Sequence, residues 1–297
     1  MVSLEDFIVI VFCFVDDHLK DLTAGRRLRA RGFEPSLSDS EVITMEIVGE
    51  FLGTDTDKGI WEYFRRHWRP FFPKLGSRAN FSRQAANLWY WKTKLQSRLA
   101  QKLGVFEEQL HLVDGIPMPV CRFARANFSQ VFKGEAAYGY CAAKKEIYYG
   151  FHGHLLVSAR GVVTSFTLTP ANTDERQALW DLLDPIHGWL LGDKGYISAP
   201  LRQDLAQQGI DLQTPLRSNM HDDRDPRWVH KLTSMRRIIE TVIGQLAERF
   251  HIEKVRARDR WHQTSRLARK LLSHTMAAFV NVLYGREPLE FDGLVAA

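Results

Sequence analysis

The spacing of hydrophobic residues changes near residue 105, and this change separates two kinds of structure. Before that point apolar residues recur every three or four positions, as from Leu4 to Val15, which is typical of amphipathic helices. Ser38 and Glu41 have the spacing of a capping box, so a helix is predicted to start there. Residues 1–105 are therefore predicted to form an all-helical N-terminal domain. Its clustered arginines and aromatic residues suit either DNA binding or a helical core with a solvated basic face.

After residue 105 the pattern is that of an α/β domain. Three predicted strands come first, at residues 111–120, 147–157 and 162–169. Next come a helix at 174–183, a strand that ends at Asp193, a helix at 199–208, a strand at 210–214 and a long helix at 229–250.

This order of elements is that of a ribonuclease H-like fold, in which a mixed sheet is flanked by helices. We expect this catalytic domain to span residues 106–255, and a basic C-terminal helical segment to follow at 256–297. Trp180 and Trp189 are expected in the core of the α/β domain.

Three acidic residues are the main candidates for chemistry. Asp114 ends the apolar run of the first strand, and Asp193 ends a second apolar run between Gly192 and Gly195. An acid inside an apolar strand is costly unless something pairs with it. Glu240 lies beside the apolar stripe of the long helix, which can bring it to the same end of the sheet.

Three carboxylates that converge without basic partners repel one another, and Mg²⁺ or Mn²⁺ relieves that repulsion because hard cations prefer carboxylate oxygens. Two such ions per active site suit an in-line displacement at phosphorus. The sequence therefore predicts that Asp114, Asp193 and Glu240 bind two divalent ions and carry the catalysis.

Basic residues near these acids are candidates for DNA contacts. Arg236 and Arg237 lie a turn or less before Glu240 and are predicted to meet phosphate oxygens. Lys194, next to Asp193, suits a phosphate contact or a surface salt bridge equally. Arg256, Arg258 and Arg260 precede Trp261, so this segment either binds the DNA backbone or forms a solvated basic face.

His152 and His154 lie on the same side of their predicted strand. A pair of histidines with this spacing could bind a metal or a phosphate group. Because no cysteine or third histidine is nearby in the sequence, we expect a structural or DNA-facing role for both.

The composition is that of a globular protein with a mild preference for anionic partners. The formal net charge is +5, and 45% of the residues are hydrophobic. The apolar run from Phe7 to Val15 is too short to cross a bilayer and is flanked by acids, so no membrane partner is expected. Three scattered cysteines form neither a disulfide framework nor a zinc motif, which favours a reducing cytosol and association with the nucleoid.

Nine short motifs together resemble those of the insertion-sequence transposases of the Asp-Asp-Glu class. They are Phe7–Asp17, Ser38–Glu46, Gly76–Phe81, Leu112–Pro117, Tyr138–Cys141, Phe151–Val157, Leu168–Asn172, Leu191–Tyr196 and Arg236–Thr241. Among these transposases the chain is most similar to the bacterial family numbered 982. The motifs span nearly the whole chain, and they are much more specific together than singly.

The resemblance implies an enzyme that binds the terminal inverted repeats of its element. It implies hydrolysis of a phosphodiester at each end, followed by attack of the freed 3′-hydroxyl on double-stranded target DNA. Acting on two ends implies a homodimer or a larger assembly. The resemblance also makes Asp114, Asp193 and Glu240 the ligands of the magnesium or manganese ions.

The chain departs from the last-helix motif of related transposases at two positions. Arg236 fits the arginine of that motif, but Thr233 stands where a tyrosine is usual and Ala247 where a lysine is usual. Other groups must then contact the phosphates, and the candidates are Arg237, Arg249 and Lys254.

Three alternative functions are open at this point. A nuclease of the same fold would cleave without strand transfer, and a repressor of the element would bind DNA without metal-dependent nicking. Paired carboxylates could also act as acid and base on a sugar, which needs raised carboxyl pKa values and no metal.

Overall fold

The structure, a computed structural model, describes residues 1–28, 34–142, 144–184 and 186–296. Its contacts divide the chain into two compact units. One unit combines residues 1–99 with residues 246–297, and the other consists of residues 100–245.

Helices and strands are numbered here in chain order. The helices are α1 (Leu4–Thr23), α2 (Asp39–Phe51), α3 (Asp57–His67), α4 (Arg78–Asn87), α5 (Trp89–Lys102), α6 (Phe123–Ala126), α7 (Glu175–Ala178), α8 (Ala199–Gln207), α9 (Pro226–Glu248) and α10 (Arg260–Leu283). The strands are β1 (Leu110–Arg122), β2 (Ala137–Cys141), β3 (Glu146–Ser158), β4 (Val163–Pro170), β5 (Gly188–Leu191) and β6 (Ile210–Gln213).

The first unit is helical, as the sequence predicts, and α2 is its centre. Every residue of α2 from Val42 to Phe51 is buried, because α1, α3, α4 and α10 all pack against this helix. The predicted capping box is confirmed, since Ser38 and Glu41 each accept a hydrogen bond from the other's backbone N–H group. Gly49 permits close packing of α2 on α3, because a Cβ there would lie 2.7 Å from Cγ1 of Ile60.

The second unit contains a mixed sheet of six strands, among the residues that the structure describes. The strand order is β2-β3-β1-β5-β6, and β4 pairs with β3 beyond the end of β2. The pairs that involve β3 are antiparallel, whereas β1–β5 and β5–β6 are parallel. The predicted mixed α/β architecture is therefore confirmed.

Leucines and isoleucines from β5, α8 and β6 form much of the core of the second unit. They join Val113 of β1 and Leu156 of β3, which lie directly opposite each other across the β1–β3 pair. The predicted helix at 174–183 is shorter than expected, since α7 has one α-helical turn and continues as a 3₁₀ turn over Leu179–Asp181.

Two expectations for the second unit are wrong. Trp180 and Trp189, predicted to be in the core, are 40% and 41% exposed. Trp189 lies near the start of the short strand β5 and packs edge-on against Trp228, so Leu190 and Leu191 provide the buried part of that strand. Strand β2 is an additional strand that the predicted order of elements did not include.

By packing, the residues after 246 belong with the N-terminal helices. The three functional domains predicted from the sequence, 1–105, 106–255 and 256–297, remain a prediction. Within the described ranges, no helix is both long enough and apolar enough to span a lipid bilayer.

Candidate active site

The pairing of β1 with β5 brings Asp114 and Asp193 to the same end of the sheet. These two strands are parallel neighbours, and Leu112 is the Cα partner of Leu191. Each aspartate follows its leucine by two residues. The strand register therefore brings two acids that are far apart in the sequence to the same end of the sheet.

Backbone N–H groups orient both aspartates. The Gly115 N–H donates to Oδ1 of Asp114 at 2.8 Å, and the Gly195 N–H donates to Oδ1 of Asp193 at 2.6 Å. Asp193 is also the N-cap of a 3₁₀ turn, Lys194–Tyr196, which explains why the chain bends there at the end of β5.

Glu240 lies on α9, and its charge reaches Asp114. Burial raises the pKa of Asp114 to about 6, with further increases from the charges of Asp193 and Glu240. The Gly115 hydrogen bond and the Arg236 guanidinium oppose that increase. The Glu240 side chain itself is exposed.

Arg236 lies closer to Asp114 than the sequence indicated. Its Nη2 is 3.7 Å from Oδ2 of Asp114, so the acids have a basic neighbour, and each of these two side chains is 24% exposed. No three histidine, cysteine, aspartate or glutamate side chains of the described residues are arranged so that they could hold a metal ion. The assignment of Asp114, Asp193 and Glu240 as ligands stays a prediction.

Sequence reasoning did not identify Glu175, the first residue of α7, as part of this group of acids. Burial raises the pKa of Glu175 to about 7, and the charges of Asp193, Asp114 and Asp174 add to the increase. In the sequence, Glu175 looks like an ordinary first-turn helix acid, and only the fold brings it near the two aspartates.

His152 and His154 are stacked, with ring centroids 4.9 Å apart, as expected for residues on one side of a strand. His154 Nε2 lies 2.9 Å from the Thr169 hydroxyl on β4, which supports a structural role. Burial, together with His152, lowers the pKa of His154 to about 4. His152 Nε2 lies 3.6 Å from Oε1 of Glu175.

The basic residues predicted to bind DNA fall into two groups. In the second unit, Lys194 and Arg237 are exposed near the acids, whereas Arg236 faces Asp114. In the first unit, the exposed members are Lys254, Arg256, Arg258 and Arg260. All of these DNA contacts remain predictions.

Arg249 is engaged within the first unit. Its guanidinium lies over the Phe51 ring at 4.4 Å, donates from Nε to the Phe51 carbonyl, and is 3.7 Å from Asp292. A DNA contact by Arg249 would have to compete with these interactions.

The family model described as "Transposase DDE domain" matches residues 106–260, just over half of the chain. The chain belongs to this transposase family. The match confirms the predicted class of enzyme, and membership of this family implies dependence on a divalent metal.

The DDE transposase is also similar to two solved structures. The cryo-EM structure of the piggyBac transposase synaptic complex with hairpin DNA is 10% identical with a TM-score of 0.47, over 98% of this chain and 78% of that chain. The crystal structure of the Mos1 strand transfer complex is 12% identical with a TM-score of 0.22, over 85% of this chain and 96% of that chain. No curated protein matches the sequence. The assignment therefore rests on the family model.

The acids around Asp114 have donor atoms of a kind that suits magnesium or manganese. Asp114, Asp193, Glu175 and Glu240 carry carboxylate oxygens, which are the preferred ligands of hard divalent cations. The raised pKa values of Asp114 and Glu175 arise partly from other acids nearby, and a bound cation would remove that repulsion.

Asp114→Asn should stabilise the metal-free transposase, and the gain should grow with pH. Aspartate in an unfolded chain ionises near pH 4. Because its pKa in the folded protein is about 6, ionisation of Asp114 opposes folding progressively between these values and fully above pH 6. Asparagine cannot ionise, so the variant should be more stable by about 1–3 kcal/mol at pH 8 and by almost nothing at pH 4. Urea unfolding with a chelator present measures this difference.

The matched control is Asp223→Asn, because the Asp223 side chain is 88% exposed. This variant should show no such dependence on pH. If the Asp114→Asn variant is no more stable than the wild type at pH 8, then ionisation of Asp114 does not destabilise the folded protein.

Proposed function

We propose that this DDE transposase cleaves the ends of an insertion sequence of the family numbered 982 and joins them to target DNA. Asp114, Asp193 and Glu240 would together hold two magnesium or manganese ions per active site. The single observation that carries the proposal is the parallel pairing of β1 with β5. With this pairing both aspartates lie at the same end of the sheet, and the charge of Glu240 also raises the pKa of Asp114.

The sheet supports a ribonuclease H-like core. If β2 is set aside, the strand order is β4-β3-β1-β5-β6. The first three of these strands in sequence are antiparallel neighbours, and the last two continue the sheet in parallel from β1. This is the arrangement expected from three antiparallel strands followed by alternating helices and strands.

The side chains have separate tasks in the proposed reaction. Asp114 and Asp193 are held by the N–H groups of Gly115 and Gly195, so their oxygens are already oriented for ligation. Divalent ions bound there would activate the attacking oxygen and stabilise the leaving oxygen. The phosphates of the DNA strand would be contacted by Arg236, which faces Asp114, and by the exposed Arg237 and Lys194.

Both chemical steps exchange one phosphorus–oxygen bond for another. In the first, water attacks the phosphodiester at the end of the element, and the 3′-oxygen leaves and takes up a proton. In the second, that 3′-hydroxyl loses its proton and attacks a phosphodiester of the target, whose own 3′-oxygen leaves. The DNA partners would be the terminal inverted repeats and the target duplex, bound by a homodimer or larger assembly.

A strand-transfer assay tests the proposal. A duplex that carries the element end with a free 3′-hydroxyl is mixed with supercoiled plasmid, the protein and Mn²⁺. We expect covalent joining of the duplex to the plasmid, and a chelator should abolish it. Cleavage of an uncut end without any joined product would instead indicate a nuclease, and metal-independent activity would exclude the proposed site.

A further inference from the structure

We propose that Glu175 is a fourth carboxylate of this site and binds a divalent cation together with Asp193, beside Gly195. The inference rests on the proposed function, because it adds a ligand to the same site. It concerns a residue that lies outside the Asp114, Asp193 and Glu240 set.

Gly195 lies beside two carboxylates from different parts of the chain. A Cβ atom placed on Gly195 would lie 2.8 Å from Oε2 of Glu175 and 2.9 Å from Oδ1 of Asp193. Both oxygens therefore lie close to the same side of the Gly195 Cα atom, and a side chain at this position would push them apart. We call this pair of facing carboxylates the Gly195 cradle.

No lysine or arginine of the described chain forms an ion pair with Glu175 or Asp193 at the Gly195 cradle. The basic group beside Glu175 is the His152 imidazole, whose Nε2 lies 3.6 Å from the other carboxylate oxygen, Oε1. Two carboxylate oxygens that share a small volume without a cationic side chain repel each other. A divalent cation with oxygen ligands would convert that repulsion into attraction.

His152 limits where Glu175 can move. The imidazole lies over Gly115, because a Cβ on Gly115 would be 2.1 Å from Nε2 of His152. That nitrogen is buried and has no hydrogen-bond partner. A small shift would let a protonated Nε2 donate to Oε1 of Glu175, which would leave Oε2 to face Asp193 in the Gly195 cradle.

Tyr196 independently indicates that a ligand belongs here. Its side chain is fully buried, and its hydroxyl has no hydrogen-bond partner. Burial raises the pKa of this phenol, and the charges of Glu175, Asp114 and Asp193 add to the increase, so the acids are near its ring. An unsatisfied buried hydroxyl is unfavourable, and water held by a bound cation would satisfy it.

Charge balance also favours a fourth acid. Asp114, Asp193 and Glu240 supply three negative charges, whereas two divalent ions carry four positive charges. Ionised Glu175 would supply a fourth negative charge to match the two ions, which leaves the positive charge of Arg236 for the phosphates of the DNA.

Mn²⁺ binding to the DNA-free protein tests the inference without any reaction. Calorimetric titration at pH 8, and electron paramagnetic resonance of unbound Mn²⁺, both measure the affinity. Glu175→Gln should weaken Mn²⁺ binding by about tenfold or more. Gly195→Ala should have a similar effect, because its methyl group would lie 2.8 Å from Oε2 of Glu175 and 2.9 Å from Oδ1 of Asp193 and would push the two carboxylates apart.

Two variants serve as matched controls. Glu146→Gln removes an exposed carboxylate of the same unit, and Gly244→Ala adds a methyl group where nothing lies within 4 Å. Both should bind Mn²⁺ as the wild type does. Melting curves identify any variant that fails to fold, and Gly195→Ala then tests the cradle with Glu175 intact.

The outcomes separate this inference from the proposed function. If Asp114→Asn loses Mn²⁺ affinity but Glu175→Gln and Gly195→Ala do not, the fourth ligand is wrong and the proposed function stands. If the wild type binds no Mn²⁺ at millimolar concentration, or none of the acid variants weakens binding, both are wrong.

Discussion

Asp114→Asn, Asp193→Asn and Glu240→Gln should each abolish DNA cleavage while leaving binding to the element's ends measurable. Each substitution keeps the size of the side chain but removes the negative charge that a divalent ion requires from its ligand. We expect cleavage to slow by about 1000-fold or more, which corresponds to ~4 kcal/mol of transition-state stabilisation. Cleavage of a labelled duplex and a gel-shift assay on the same DNA measure the two properties.

Binding should survive in these variants because the phosphate contacts proposed for Lys194 and Arg237 do not depend on the acids. Asp223→Asn is the control for loss of one negative charge, since Asp223 is largely exposed. Any one of the three variants that cleaves at nearly the wild-type rate would remove its residue from the set of ligands.

Arg269→Met should lower the free energy of unfolding by about 3–5 kcal/mol, because Arg269 neutralises several buried acids. The Arg269 side chain on α10 has no exposed surface. It donates to Glu50 at 2.6 Å, to Asp57 at 2.6 Å and to the Asp55 carbonyl at 2.8 Å. Its removal would leave buried carboxylates without their main partner.

The surrounding contacts show how completely this network is satisfied. Lys92 donates to both oxygens of Glu46, to the Ala85 carbonyl and to the Ser265 hydroxyl. Lys270 donates to Glu50 and to the Phe250 carbonyl. Three buried cations thus balance Glu46, Glu50 and Asp57, and the network ties α10 to α2 inside the first unit.

The matched control for Arg269→Met is Lys58→Met. Lys58 forms an exposed ion pair with Glu62 at 3.8 Å, and exposed pairs contribute about 1 kcal/mol or less. Thermal unfolding should show a melting temperature roughly 10 °C lower for Arg269→Met and nearly unchanged for Lys58→Met. Equal losses in the two variants would mean that the buried network does not hold the helices together.

Periodic patterns allowed much of the fold to be predicted, because they depend on neighbouring residues alone. The capping box at Ser38 and the strand that contains His152 form as predicted. Trp189 shows the limit of this reasoning, since hydrophobicity does not reveal how near the end of a sheet a residue will lie. Asp114 and Asp193 were found because each ends an apolar run, and Glu240 was found because it borders the apolar stripe of a long helix. Glu175 was missed because it has neither feature.

The sequence by itself determined the helical and α/β parts, the class of enzyme and the three acids proposed as ligands, since these depend on local pattern and on motifs. Only the tertiary structure decided which distant side chains become neighbours. The β1–β5 register places Asp114 with Asp193, the start of α7 adds Glu175, and α9 places Arg236 against Asp114. The tertiary structure also buries Lys92, Arg269 and Lys270, which look like ordinary polar positions in the sequence, and joins them in one network. The physical reason is that burial and electrostatic pairing are properties of position in space, and residues far apart in the sequence acquire them only when the chain folds.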